Sequence, residues 1–192
     1  TEKIPPYYKL GMISQKTSKA FYDALLKNIQ PKNASVKLFD NDPVIEYEKE
    51  KLPSLDYNVF RLDTDVTGVV ADDKFARIKE YAGDVEFNIL VTSLEDIAYL
   101  TNMRSYDFDY SAVFPAKALI LNDGIKIFSD CTIPYICRSF SVLPQSEYEN
   151  TIRSIKGKDV YVDETGLSIY DYNLINSNNE IKQSHMKLFK TV

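Results

Sequence analysis

The clearest pattern of apolar and polar positions lies in the middle of the chain. An apolar run at Phe87–Val91 is rich in branched residues and too short for a helix, so it predicts a strand that is buried on both faces. Ser93 then occupies a helix N-cap position with Asp96 three residues later, and apolar residues follow at helical spacing. A second apolar run, Val113–Leu121, ends at the turn-forming sequence Asn-Asp-Gly at 122–124. The stretch therefore predicts a strand, a helix, a loop and a strand that closes a β-hairpin.

Shorter patterns on both sides predict further strands and helices. The segments before the middle stretch are predicted as strand Lys9–Ile13, helix Ser18–Ile29, strand Val36–Phe39, helix Val44–Lys51, linker Lys51–Val66 and a helix that holds Phe75 and Ile78 and stops at Gly83. The segments after it are predicted as strand Ile125–Phe128, a helical turn in Thr132–Cys137, strand Ser139–Leu143, helix Gln145–Ile155, strand Asp159–Asp163, helix Thr165–Ile175, edge strand Ile181–Gln183 and a helix from Met186. Strands that alternate with helices indicate an α/β fold with helices on both faces of the sheet, and the hairpin makes that sheet mixed.

Composition narrows the classes of partner. The 192 residues carry a formal charge of −5 and are 44% hydrophobic, which supports a proper core but gives no general attraction to nucleic acid. No apolar run approaches the roughly 20 residues that span a bilayer, so no membrane partner is expected either. The chain starts without an initiator Met or a signal peptide, so we expect an excised piece of a longer protein. Cys131 and Cys137 are expected to be reduced thiols in a cytoplasmic protein.

The predicted loop at residues 102–110 crowds charged, amide and aromatic side chains together. Loops of this kind often carry function. Arg104 and Asp107 are predicted either to form a local ion pair that holds the loop or to face a substrate entrance. The carboxylates of Asp107 and Asp109 are also weighed as metal ligands, whereas the acids at 72–73 are expected to face the positive end of a helix dipole.

The single histidine limits the chemistry that this chain can perform. His185 stands in the terminal stretch and is expected to be a surface or packing residue. A Ser-His or Cys-His nucleophilic site would have to use this one histidine. We therefore assign neither a catalytic residue nor a metal ligand within the chain.

The middle of the chain resembles the Xaa-Pro aminopeptidases (aminopeptidase P), whose pattern is roughly D-E-I-A-W-L-x-N-x-R-G-S-D followed by P-V-F. The matching residues here are Asp96, Ile97, Ala98, Tyr99, Leu100, Asn102, Arg104, Asp107, Val113 and Phe114. The chain departs from the pattern at Ser105 and Tyr106, where the family has Gly-Ser, and at Ala112, where it usually has Pro.

The resemblance implies a fold and a division into domains. It implies the creatinase/prolidase N-terminal fold, a roughly six-stranded mixed sheet flanked by helices. Residues 1–56 would be the C-terminal part of a first such domain plus a linker, and residues 57–192 a second such domain.

The resemblance also implies an activity, but one that is located outside this chain. Family members are metallopeptidases that remove the N-terminal residue preceding a proline. They use two divalent ions, manganese or zinc, on a C-terminal catalytic domain that this chain lacks. The expected partners are that domain and a peptide with proline in second position, with a homodimer also considered. Asn102, Arg104 and Asp107 would bind substrate, while the chain alone would be inactive.

Two alternatives stay open at the level of the sequence. The chain is also compatible with a free-standing α/β interaction or ligand-binding module that derives from such a peptidase. A relative of prolidase or creatinase is a third hypothesis, because those proteins share the N-terminal fold.

Overall fold

The computed structural model describes residues 4–48, 57–83, 86–163 and 165–183. By its contacts, the chain divides into two compact units, residues 1–54 with 164–177 and residues 55–163 with 178–192. The predicted division at residue 56 stays a prediction, although residues 164–177 are grouped with the first unit. His185, the predicted terminal helix and residues 51–56 of the predicted linker lie outside the described residues.

The elements follow one another much as the sequence predicts. In chain order they are β1 (Lys9–Ile13), α1 (Lys19–Ile29), β2 (Ser35–Phe39), α2 (Pro43–Glu48), β3 (Phe60–Arg61), α3 (Thr64–Thr67), α4 (Ala71–Ala82), β4 (Ile89–Val91), α5 (Leu94–Thr101), β5 (Met103–Arg104), β6 (Lys117–Leu121), β7 (Gly124–Phe128), β8 (Phe140–Leu143), α6 (Glu147–Ser154), β9 (Asp159–Val162), α7 (Ile169–Asn176) and β10 (Glu180–Gln183).

The first unit is built on a β–α–β crossover. β1 and β2 pair in parallel, and α1 connects them. Ser18 caps α1, because its hydroxyl accepts the N–H of Phe21. Ile29 is the one buried residue of α1, and neither strand buries a residue completely. α7 joins this unit by a backbone hydrogen bond of 2.9 Å from the Ile169 N–H to the Thr17 carbonyl.

The second unit contains a six-stranded sheet in the order β10-β9-β4-β6-β7-β8. β10, β9 and β4 are parallel, β6 is antiparallel to both β4 and β7, and β8 is parallel to β7. The predicted six-stranded mixed sheet is therefore confirmed. Because β4, β7 and β8 run in one direction, their carboxyl ends meet at a single edge of the sheet.

Helices cover both faces of this sheet, as predicted. On one face, α4 and α5 contribute to a single core cluster with the sheet, formed by Phe75, Ile78, Ile97, Leu100, Ile89, Val91, Ala118, Ile120, Ile125 and Ile127. Phe128 lies on the other face, because side chains alternate along a strand. There the ring of Tyr148 in α6 meets Phe128 edge-on, with centroids 5.3 Å apart.

The prediction of a linker at Lys51–Val66 is wrong in its described part. β3 pairs antiparallel with β5, which sets Phe60 opposite Arg104, and α3 follows directly. A strand of two residues is too short to show an alternating pattern. Its position is set by a partner more than 40 residues further along the chain, which local sequence cannot reveal.

The predicted helical turn in Thr132–Cys137 is also wrong. The structure has no regular secondary structure there, and Ile136 is buried while Ile133 and Cys137 pack against the core. Pro134 explains the difference, because it lacks an N–H and pushes the preceding residue out of the helical region.

The predicted hairpin at 122–124 is confirmed, but its glycine serves a different purpose. Leu121 pairs with Gly124 at the end of β6 and β7, and Asn122 Oδ1 accepts the N–H of Phe87 at 2.9 Å. Gly124 is not among the residues with positive φ. A Cβ at this position would lie 2.8 Å from the carbonyl oxygen of Ser139, so the glycine permits the close approach of the chain that enters β8.

The central position of β6 generates a stability prediction. We expect Ile120→Ala to lower the free energy of unfolding by about 2 to 5 kcal/mol, because the side chain is fully buried. The matched control is Val142→Ala on strand β8, where the side chain is 41% exposed and the loss should be below about 1 kcal/mol. Urea denaturation of the two variants measures both values, and equal losses would contradict the core described above.

Candidate functional site

The loop that carries the Asn-x-Arg motif begins where α5 ends. Ser93 caps the start of α5, and its hydroxyl accepts the N–H of Asp96 at 3.2 Å, as predicted. At the other end Asn102 adopts a left-handed conformation with φ 58°. A left-handed residue is a common helix stop, and asparagine tolerates it better than most side chains. The motif asparagine therefore turns the chain out of α5.

Asn102 is held from inside the domain by a buried lysine. Lys74 of α4 is 5% exposed, and its Nζ donates to the carbonyl of Tyr99 at 2.5 Å and to Oδ1 of Asn102. The same ammonium lies 4.0 Å from the centre of the Tyr99 ring. Asn102 Nδ2 donates to the Val69 carbonyl at 2.8 Å. Both ends of the amide are therefore used within the domain.

Burial controls the charge of Lys74. It lowers the pKa of the ammonium to about 8, with a smaller contribution from the positive charges of Arg104 and Arg77. Oxygen acceptors and an aromatic face surround the ammonium in place of a carboxylate. Lys74 is thus a buried cation that carbonyl and amide oxygens stabilise.

Arg104 folds back onto the helix that precedes it. Its Nη1 donates to the carbonyl of Ala98 and, at 2.8 Å, to that of Met103. Partial burial lowers the pKa of its guanidinium. Cations near a helix C-terminus also interact favourably with the helix dipole. Arg104 therefore braces the end of α5 while part of its side chain remains exposed.

The predicted ion pair between Arg104 and Asp107 is wrong. Asp107 instead accepts the N–H of Asn58 at 2.9 Å and the hydroxyl of Ser105. The Ser105 hydroxyl, followed by the Asn58 N–H, lowers the pKa of this carboxyl. Asp107 is exposed. Of the three predicted substrate-binding residues, Asn102 is buried, Arg104 is partly exposed and Asp107 faces solvent.

Aromatic rings of the same loop pack on the segment that leads into β3. Tyr57 and Phe108 are stacked with centroids 5.3 Å apart, and Phe60 and Tyr106 meet at 5.0 Å. The outer face of Tyr106 is still largely exposed. These contacts anchor the loop on the residues that the sequence assigned to a linker.

A cleft of about 430 Å³ lies beside this loop, at the edge where β4, β7 and β8 end. We call it the edge cleft. It is lined by Tyr57, Thr92, Leu94, Phe108, Pro115, Ala116, Lys117, Asp130, Cys131 and Gln145. Ligand sites of α/β proteins often lie at the carboxyl ends of strands. Apart from Phe108, which belongs to the predicted functional loop, sequence reasoning missed these residues, although several directly flank predicted strands.

The described residues offer no metal centre. Among them no group of three or more His, Cys, Asp or Glu side chains is arranged to hold an ion. The side chain of Ser139, followed by that of Cys137, lowers the pKa of the Asp72 carboxyl. Cys131 and Cys137 are both free thiols. Burial and the bond to Asp72 raise the pKa of Cys137 to about 12.

Among the described residues, none of the helices combines the length and the hydrophobicity that a membrane span requires.

Lys74 generates a prediction about pH. Above about pH 8 the folded lysine is neutral, whereas the unfolded lysine stays charged up to about pH 10.5. The unfolded state then binds more protons, so the free energy of unfolding rises in this window. We expect wild type to gain on the order of 1 kcal/mol relative to Lys74→Met between pH 8 and 10.

Urea denaturation across this pH range measures the difference. Tyrosine titration is common to both proteins and cancels, and exposed Lys79→Met on the same helix is the matched control. A wild-type advantage that stays constant with pH would contradict the burial of a titrating lysine.

Comparisons with known proteins agree on one family. Residues 50–192 match the creatinase/prolidase N-terminal domain. Over 91% of its own length, the chain is 24% identical to Xaa-Pro aminopeptidase 1 of Dictyostelium discoideum. Over 67% of its own length, it is 28% identical to a probable Xaa-Pro aminopeptidase P of Laccaria bicolor. It covers 30% and 20% of those two proteins, so it spans less than a third of the curated relatives it matches.

A solved structure gives the same fold. The X-prolyl aminopeptidase of Caenorhabditis elegans, a cytosolic enzyme with a di-nuclear active site, superposes with a TM-score of 0.76 at 17% identity. The match covers 97% of this chain and 33% of that protein. The family match extends over most of the sequence, and the described fold agrees with it. The chain therefore belongs to the creatinase/prolidase N-terminal domain family.

Proposed function

We propose that this chain is the non-catalytic N-terminal and middle region of a Xaa-Pro aminopeptidase. Its role would be to shape access to a metal site on a C-terminal catalytic domain and to support subunit contacts. The observation that carries the proposal is the family match over residues 50–192 together with relatives that are named Xaa-Pro aminopeptidases.

The remaining parts of the proposal rest on the family resemblance of the sequence. The substrate would be a peptide with proline in second position, and two divalent ions, manganese or zinc, would sit on the catalytic domain. The described residues contain no suitable donor set, so hydrolysis would belong to that other domain. A cytoplasmic location and a homodimer are further parts of the proposal.

The loop geometry supports a division of roles among the three predicted substrate-binding residues. Arg104 would present a positive charge toward the entrance, because its Nη1 is fixed on the carbonyls of Ala98 and Met103 while part of the side chain is exposed. Asp107 would present an exposed carboxylate whose orientation is set by Asn58 and Ser105. Buried Asn102 would act indirectly, as a positioning residue for this loop.

A second candidate function is a free-standing ligand-binding module. The edge cleft favours it, because a largely formed cavity with apolar and polar walls is a usual ligand site. The two functions differ in whether an attached catalytic domain is needed.

The isolated chain tests the location of catalysis. We expect calorimetric titration with manganese and with zinc to give no stoichiometric tight binding, and a release assay on a Xaa-Pro peptide to give no turnover. The described residues lack a cluster of metal donors, which is the physical reason. Stoichiometric metal with turnover would overturn the proposal.

Arg104 tests the role of the loop in a polypeptide that joins this chain to a catalytic domain. We expect Arg104→Met to lower kcat/KM on a Xaa-Pro peptide about tenfold, because one charge-assisted contact is lost. The control is Arg153→Met, which removes an exposed arginine that pairs with Glu149 on α6. Equal activity of the two variants, both with native thermal stability, would contradict a role for Arg104 at the entrance.

A further inference from the structure

We propose that Lys74 is a positioning residue for substrate binding: its buried ammonium fixes the turn at Asn102 and thereby keeps the side chain of Arg104 at the entrance. This inference deepens the function proposed above and rests on it, because Arg104 has an entrance to serve only next to a catalytic domain. Lys74 is 5% exposed, too little to meet a peptide itself, so it acts through the loop.

Lys74 joins two helices at the point where the loop begins. It belongs to α4, whereas both of its oxygen acceptors lie at the end of α5. They are the carbonyl of Tyr99, at 2.5 Å, and Oδ1 of Asn102. A buried ammonium that left these oxygens would find little water to replace them. The lysine therefore ties α4 firmly to the residue that turns the chain.

The turn passes this restraint on to Arg104. The backbone of Asn102 is left-handed, and its carbonyl accepts the Leu62 N–H at 2.9 Å. Two residues later Arg104 pairs with Phe60 across β3 and β5. The chain reaches this pairing directly from the turn, so the place of Arg104 depends on how firmly Asn102 is held.

Lys74 and Arg104 also divide the carbonyls at the end of α5 between them. Arg104 bonds to the carbonyl of Ala98, and Lys74 bonds to that of Tyr99, the next residue. The charge of Arg104 contributes to the lowered pKa of Lys74, so the two cations act on each other. Without the ammonium, the Tyr99 carbonyl and Asn102 Oδ1 would lack this donor, and the guanidinium could turn inward to them. Lys74 thus keeps Arg104 in its observed position.

Hydrogen exchange on the purified chain tests the hold on the turn. We expect Lys74→Met to speed exchange of the Leu62 amide at least about tenfold more than that of Ile120 in the central strand β6. The Ile120 rate reports general opening of the domain, so the comparison isolates a local release of the turn. Lys79→Met, which changes an exposed lysine of the same helix, is the matched control and should leave the Leu62 rate unchanged.

Kinetics in a polypeptide that joins this chain to a catalytic domain test the consequence for substrate. We expect Lys74→Met to raise KM for a Xaa-Pro peptide about tenfold and to change kcat less than about twofold, because the metal site is untouched. The Lys74→Met, Arg104→Met double variant should lose about tenfold in kcat/KM, as Arg104→Met alone does, instead of the roughly hundredfold loss of independent sites. A general loss of stability would not produce this lack of additivity.

A second variant serves if Lys74→Met fails to fold. Asn102→Gly removes Oδ1, the acceptor of the Lys74 bond, and the Nδ2 bond to Val69, while glycine still permits the positive φ of the turn. We expect the same rise in KM and the same lack of additivity with Arg104→Met.

The outcomes separate this inference from the function proposed above. The inference alone is overturned if Leu62 exchange rises no more than Ile120 exchange, or if the losses from Lys74→Met and Arg104→Met multiply. It is also overturned alone if Arg104→Met is impaired while Lys74→Met and Asn102→Gly keep the wild-type KM. A wild-type kcat/KM in Arg104→Met itself would overturn the entrance role of Arg104, and this inference with it.

Discussion

The carbonyl groups at the C-terminal end of α5 are the constraint on which the candidate site depends. The last carbonyls of a helix have no partner within the helix and need donors from elsewhere. Two side chains supply them here: Arg104 bonds to the Ala98 carbonyl and Lys74 to that of Tyr99. The Asn-x-Arg motif therefore has a structural role in this chain that does not depend on any function of the loop. Asn102 ends α5, and the side chain of Arg104 folds back over that end.

The mixed direction of the sheet determines what stands next to this helix end. With β6 antiparallel to both of its neighbours, the start of β6 lies at the edge where β4, β7 and β8 finish. Thr92, Lys117, Asp130 and Gln145 are distant in sequence but adjoin this edge. The edge cleft and the loop therefore share one wall, formed by Phe108 on Tyr57. An altered loop conformation would change the shape of the cleft.

Much of the fold follows from local sequence, and most of the site does not. The strand at Phe87–Val91, the Ser93 cap and the hairpin depend on neighbouring residues, so periodicity and capping rules predict them. The bond from Lys74 to Asn102 spans 28 residues and that from Asn58 to Asp107 spans 49. No local pattern encodes such a pairing. The family resemblance identified Arg104 and Asp107. The predicted ion pair between them did not take account of the Asn58 N–H, which is distant in sequence and bonds to Asp107 instead.

The glycine of the hairpin shows how a familiar turn signal can conceal a different requirement. The sequence Asn-Asp-Gly predicts a turn. The absence of a side chain at Gly124, however, is required by the backbone at Ser139, which leads into β8. Residue 123 can vary within the ordinary chemistry of turns, whereas Asn122 also accepts the Phe87 N–H and position 124 sets the spacing between β7 and β8. A relative that carries a larger residue at 124 should therefore differ in the path between β7 and β8, and its turn could remain the same.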